Sequence, residues 1–291
     1  MRRVLKLLKW GLVPLLAAGF YTSAQAAPVS VTVTVQNVSP TSTFVIPLFS
    51  SLFHDGSGSH SFHDYFNVGD NFPLNTSDAL DGGCATSDFQ CLLLRSVVRG
   101  DVQGISAAVG IADDPNGTQA AVGTFLLPGE SDSTTVVTDD GLTFFSYLAK
   151  LVPTNDSFIG SDEALAISTL FGLAVGDSLP FISVHLSDII NLGVEDDNIS
   201  GAVIFHGDEG PGGLDEDRSI SANTTDFSVF DGVSTDTGTF DFLALSGDPE
   251  ILRITLTLAS APLVAASAPG PIGILGLSLI GMALYRRKRT E

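Results

Sequence analysis

Near the start of the chain Val29-Ser-Val-Thr-Val-Thr-Val35 alternates strictly between apolar and polar residues, and near its end Ile254-Thr-Leu-Thr-Leu258 does the same. A period of two is that of a strand with one face buried and the other wet, and no helix can satisfy it. β-Branched and aromatic runs recur between the two, at Thr43–Phe49, Gly123–Leu127, Ser133–Thr138, Leu142–Val152, Phe181–Leu186 and Gly201–His206. Turn-forming pairs such as Asp55-Gly56, Pro128-Gly129, Gly176-Asp177 and Asp231-Gly232 separate them. Short strands joined by polar, Gly-rich turns predict an all-β antiparallel sandwich with long acidic loops. One short helix is expected over Ser87–Val98, where Phe89, Leu92, Leu93 and Val97 form an apolar stripe.

The two ends differ in kind from this body. Residues 1–26 join a basic start (Arg2, Arg3, Lys6, Lys9) to an apolar run from Gly11 to Phe20 and then Ala24-Gln25-Ala26. That is the layout of a cleaved secretory signal peptide, with the mature chain beginning at Ala27 outside the cytoplasm. At the other end Pro269-Gly270-Pro271 is followed by an uncharged run, Ile272–Tyr285, and a basic cluster that opens with Arg286 and Arg287. Fourteen helical residues reach about 21 Å, short of a hydrocarbon core of about 30 Å.

Charge excludes one large class of function. Of 13 basic residues only Arg95, Arg99, Lys150, Arg218 and Arg253 lie between Ala27 and Tyr285, against all 33 acids but Glu291. Such a surface repels phosphate backbones, so nucleic acid is not a partner, and cations are its natural counterparts. Cys84 and Cys91 are the only cysteines. In an exported chain they are expected to pair, closing a short loop and contributing about 2.5 kcal/mol.

Calcium takes six to eight hard oxygens from converging loops. The acids at expected strand ends offer such a set in Asp156 with Asp188, Asn191 and Glu195, whose other reading is solvated loop residues. Competing motifs are weaker. Gly176-Asp177-Ser178-Leu179 spells a lipase nucleophile motif, but neither later histidine, His185 or His206, has an Asp three residues before it. His54, His60, His63 and Asp64 offer zinc donors beside a Gly/Ser-rich stretch expected to be a loop. Asp208–Asp217 lacks the spacing of a calcium loop.

Three stretches together resemble the spondin N-terminal domain: Val29–Asn37 with Phe53-His54-Asp55-Gly56-Ser57; Val152-Pro153-Thr154-Asn155-Asp156-Ser157-Phe158-Ile159-Gly160; and Asn191-Leu192-Gly193-Val194-Glu195. With Ile254–Leu258 as the last strand the likeness covers residues 29–258. It implies an antiparallel β-sandwich with a divalent-cation site, usually calcium, at one end, and an adhesive, non-enzymatic role. Asp156 matches the family's metal-binding aspartate. Asn191 stands where members carry a second aspartate, keeping a carbonyl oxygen but dropping a charge. The C-terminal layout is similar to exosortase-type PEP-CTERM sorting tails, with Gly270 where the usual motif has an acid. That implies transient retention at the inner membrane and a sorting or processing enzyme as partner.

The expected organisation is a signal peptide at 1–26, a sandwich at 27–258, a spacer at 259–268 and an anchor tail at 269–291. The expected function is an exported surface or matrix protein that binds a glycan, matrix or protein ligand. The alternatives are an acidic structural component of the biofilm matrix and, third, an envelope hydrolase. Mass spectrometry of the exported protein should find an N-terminus at Ala27; a mature chain that retains residues 1–26 would contradict the export reading.

Overall fold

A computed structural model describes residues 27–47, 49–57, 69, 117–123, 125–154, 156–161, 164–191, 220–222, 225–235 and 238–261. The signal segment, the Ser87–Val98 helix, Cys84 and Cys91, the Gly201–His206 strand, the 208–217 loop, Glu195 and the tail with Pro269, Gly270, Pro271, Arg286 and Arg287 lie outside them. In chain order the strands are β1 (Pro28–Asn37), β2 (Phe49–His54), β3 (Thr118–Val122), β4 (Ser131–Asp139) and β5 (Phe144–Lys150). There follow β6 (Ser157–Gly160), β7 (Leu165–Ala166), β8 (Ile182–His185), β9 (Ile189–Asn191) and β10 (Ser221–Ala222). Last come β11 (Ser234–Thr235), β12 (Gly238–Thr239) and β13 (Glu250–Ser260).

Every pairing is antiparallel. One sheet runs β4-β1-β13-β8; the other runs β10-β9-β6-β5-β2-β3, with β7 also on β5. The described helical segments are short 3₁₀ turns, and none is long and apolar enough to cross a membrane. The expected antiparallel, sandwich-like architecture is therefore present.

The two alternating segments found in the sequence are neighbours. Val31 lies opposite Leu258, Val33 opposite Leu256 and Val35 opposite Ile254. All six are buried, while the threonines between them are half-buried on the other face. From the second sheet Phe49, Phe53, Phe145 and Tyr147 join the same core. Phe53 meets Phe145 edge-on at 5.2 Å and Phe49 stacks on Tyr147 at 5.8 Å, geometries that add to the area buried. Phe44, packed edge-on against Phe227 and Phe240, extends this core.

The second sheet departs from simple alternation. β2, β6 and β9 are buried on both faces, as is β5 after its first residue. The face turned from the core carries Leu52, Leu148 and Phe158 but also His54, Ser146 and Lys150, all buried. His54 Nε2 lies 3.0 Å from Ser146 Oγ, and the imidazole stacks on Phe144. Gly56 follows with φ +80°, and a Cβ there would come within 2.5 Å of the Phe144 ring, so the turn requires glycine.

Three expectations change. Thr43–Phe49 is not a strand: Val45 and Ile46 each make an isolated bridge, to Val152 and Leu126, and the strand begins at Phe49. Gly123–Leu127 is likewise irregular: Gly123 and Phe125 take positive φ, 74° and 61°, and Leu126 is also held by the Asn37 side chain. Its Nδ2 donates to Phe44 O at 2.8 Å and Leu126 O at 2.9 Å, and its Oδ1 accepts from Ser39 N and Oγ. The final strand runs to Ser260, two residues past the expected boundary, and Ser260 Oγ accepts from Ser30 N at 2.9 Å.

Replacing Phe145 with Ala should cost about 3–5 kcal/mol of unfolding free energy in urea, whereas Thr134→Ser on the β4 edge should stay within about 0.5 kcal/mol. Equal effects would contradict the placement of the core.

Candidate functional site

The Val152–Phe158 segment, the most distinctive stretch of the sequence, closes the β5–β6 hairpin. Thr154 organises the turn: its N–H donates to Leu151 O at 3.2 Å, and its hydroxyl donates to the same oxygen at 2.6 Å. Val152 and Val45 exchange two backbone hydrogen bonds, of 2.9 and 3.0 Å, which pin the loop to the connection between β1 and β2. The Val152–Pro153 bond is cis. Asp156 ends this loop, and its residue is fully buried.

β9 runs antiparallel to β6 with Ser157 opposite Asn191, and β10 places Ser221 opposite Asn191 from the other side. Asp156 therefore adjoins the ladder position of Asn191, itself only 3% exposed. Beneath them Thr225 joins the two strands: its Oγ1 lies 2.5 Å from Ser157 Oγ and accepts from Asn191 Nδ2 at 3.3 Å. With Nδ2 turned to Thr225, Oδ1 is the Asn191 atom with the chemistry to ligate a cation. Asp156 supplies a second hard oxygen donor, a carboxylate.

The other expected ligands do not join this pair. Asp188 lies three residues earlier, beyond the opposite end of β9, about 10 Å along the strand. Its Oδ2 accepts from His185 N at 2.7 Å, so the carboxylate caps an exposed 3₁₀ turn. Glu195 lies outside the described residues. Among the described residues no group of three or more His, Cys, Asp or Glu is placed to hold a metal ion. The pair Asp156 and Asn191 would need further oxygens from elsewhere.

Two competing motifs resolve geometrically. Ser178 Oγ lies 2.7 Å from Thr257 Oγ1, across an isolated bridge to β13. His185 pairs with Glu250 on the same strand, seven residues away, or about 23 Å. Ser178 and His185 do not form a nucleophile–base pair. His54 is not on the expected loop but ends β2 in the interior; His60, His63 and Asp64, the other donors of the zinc reading, lie outside the described residues.

Sequence reasoning missed Ser157 and Thr225, because isolated hydroxyls carry no periodic or charge signal. It also missed that Lys150 is buried, 1% exposed. Its position in an apolar strand was the available clue. No family model matches the chain, and no curated protein matches it.

Thr225→Val removes the oxygen shared by Ser157 and Asn191, and should lower stability in urea by about 1–3 kcal/mol. Thr225→Ser keeps that oxygen and should lose less than half as much. Indistinguishable losses would show that only packing at Thr225 matters.

Proposed function

We propose that this chain is an exported, non-enzymatic binding module of the cell surface or extracellular matrix, assisted by calcium at the Asp156–Asn191 end of its sandwich. The observation that carries the reading is a buried aspartate, Asp156, one residue before Ser157, whose ladder partner is the buried Asn191, where two strands end. The hydroxyl pair Ser157 and Thr225 fixes the amide's orientation from below. A carboxylate and a carboxamide carbonyl are hard oxygen donors of the kind calcium takes. Asp156 and the Oδ1 of Asn191 would be the protein's ligands, and calcium would supply the positive charge that a body with so few bases lacks.

The adhesive role, the envelope location and the sorting enzyme at the tail come from the spondin-like and PEP-CTERM-like segments of the sequence. The separation of Ser178 from His185 supports the binding reading over the hydrolase alternative. Calcium titrated into the mature protein should release or absorb heat and raise the melting temperature. At a hundredfold excess over Kd the stabilisation is about 2.7 kcal/mol. Asp156→Asn should abolish both responses while the apo protein still folds. Absence of heat and of any shift in the parent protein would remove the cation from the proposal.

A further inference from the structure

The outer face of the β4-β1-β13-β8 sheet is a lattice of hydroxyls. Register sets Thr32 between Thr135 and Thr257, and Thr34 between Ser133 and Thr255. These residues are half-buried or exposed, and on β1 and β13 their neighbours along the strand are buried in the core. Thr32 Oγ1 lies 2.7 Å from Thr135 Oγ1, and Ser178 Oγ continues the row at 2.7 Å from Thr257 Oγ1. These bonds fix rotamers before any partner arrives, which lowers the entropy cost of binding.

At the β8 edge the row through Thr255 meets Phe181, which is 56% exposed. The Arg253 guanidinium covers this ring, 4.5 Å from its centroid. Glu250 accepts from Arg253 Nε at 3.0 Å and also from Nη2. That hydrogen bond, chiefly, holds the Glu250 carboxyl below its ordinary value, so the pair stays ionised together and adds no net charge.

What the face lacks is as specific as what it has. The outward positions from Ser30 to Gln36 on β1 and Ser131 to Val137 on β4 hold no Asp, Glu, Lys or Arg, and those from Arg253 to Ala259 on β13 hold one charge, Arg253, opposite Gln36 and paired with Glu250. An ordinary surface would place about three charges among that many positions. In a chain this rich in acids, a face whose single basic group is already paired with a carboxylate matches an uncharged partner, and a polyanion would be repelled by the surrounding carboxylates.

We propose that this face binds a neutral polysaccharide, whose hydroxyls exchange hydrogen bonds with the Ser/Thr rows while a sugar ring packs on Phe181. The area available is about 14 Å across four strands and about 20 Å along them, enough for a short run of sugar rings. A protein partner needs a central apolar anchor, and the large exposed apolar residues here, Phe181 and Val137, sit at opposite edges. A rigid planar crystal face is disfavoured because adjacent strands rotate by about 20–25°, a twist that a flexible polymer follows. The inference rests on the binding-module reading above, but not on its cation.

Affinity electrophoresis of the mature protein through gels containing hydroxyethylcellulose, dextran or alginate tests it. Retardation is expected in at least one of the two neutral glucans, not in alginate, and unchanged in EDTA. Thr32→Glu should abolish it, and Phe181→Ala should weaken it about tenfold, with melting temperatures showing both variants folded. Failure in both neutral gels, or retention of binding by folded Thr32→Glu, overturns the proposal. Binding lost in EDTA would assign the glycan to the Asp156 end instead. Self-association abolished by Thr32→Glu, without glucan retardation, would assign the face to a second copy of the chain. Calcium calorimetry reports separately on the cation, so either reading can fail alone.

Discussion

The pairing of β1 with β13 is the constraint on which the rest of the body depends. It joins Val31 to Leu258 and Asn37 to Leu252, and so closes nearly the whole described chain into one loop. Closure over that distance costs entropy that local contacts cannot return. The return comes from the apolar halves of two alternating segments, which bury valines against leucines and isoleucines and receive the aromatic residues of the second sheet. Once the pair is formed, β4 and β8 have edges to add to, and the Asn37 side chain can secure the irregular crossing at Phe44 and Leu126.

The sandwich separates two kinds of polar surface. At the end of β6 and β9, polar groups are buried: Asp156, Asn191, Ser157 and Thr225 are held by strand register and a hairpin turn. On the outer face of the first sheet, hydroxyls are ordered by the strand repeat and remain accessible. The first arrangement is the one proposed for a small hard cation, because its donors are hard oxygens. The second suits a large neutral partner, because many weak hydrogen bonds spread over a broad face require no deep pocket.

Much of the frame was legible in sequence. Val29–Val35 and Ile254–Leu258 announced themselves by period two, and their strands appear where that period placed them. The Val152–Phe158 block stood out by its resemblance alone, and it closes the β5–β6 hairpin. Other parts had no local signal. β3, Thr-Gln-Ala-Ala-Val, has weak intrinsic strand preference and is a strand because β2 offers it an edge. Thr43–Phe49 has the right composition, yet tertiary hydrogen bonds to Leu126 and Val152 leave it only isolated bridges. At the site, Asp156 and Asn191 were named from a motif, whereas Thr225 could be found only through its contacts. Asp188 was misplaced because nearness in sequence to Asn191 does not survive extension of β9 between them.

The central claim is that this sheet pair brings the Asp156 carboxylate and the Asn191 carboxamide to one place as protein ligands for an ion. Anomalous diffraction from crystals of the mature protein grown in calcium chloride tests it most directly. The account predicts a peak within ligand distance of both Asp156 and Asn191 Oδ1, at the end of β6 and β9. A featureless map there, with calcium bound at other carboxylates in the same crystal, would contradict it.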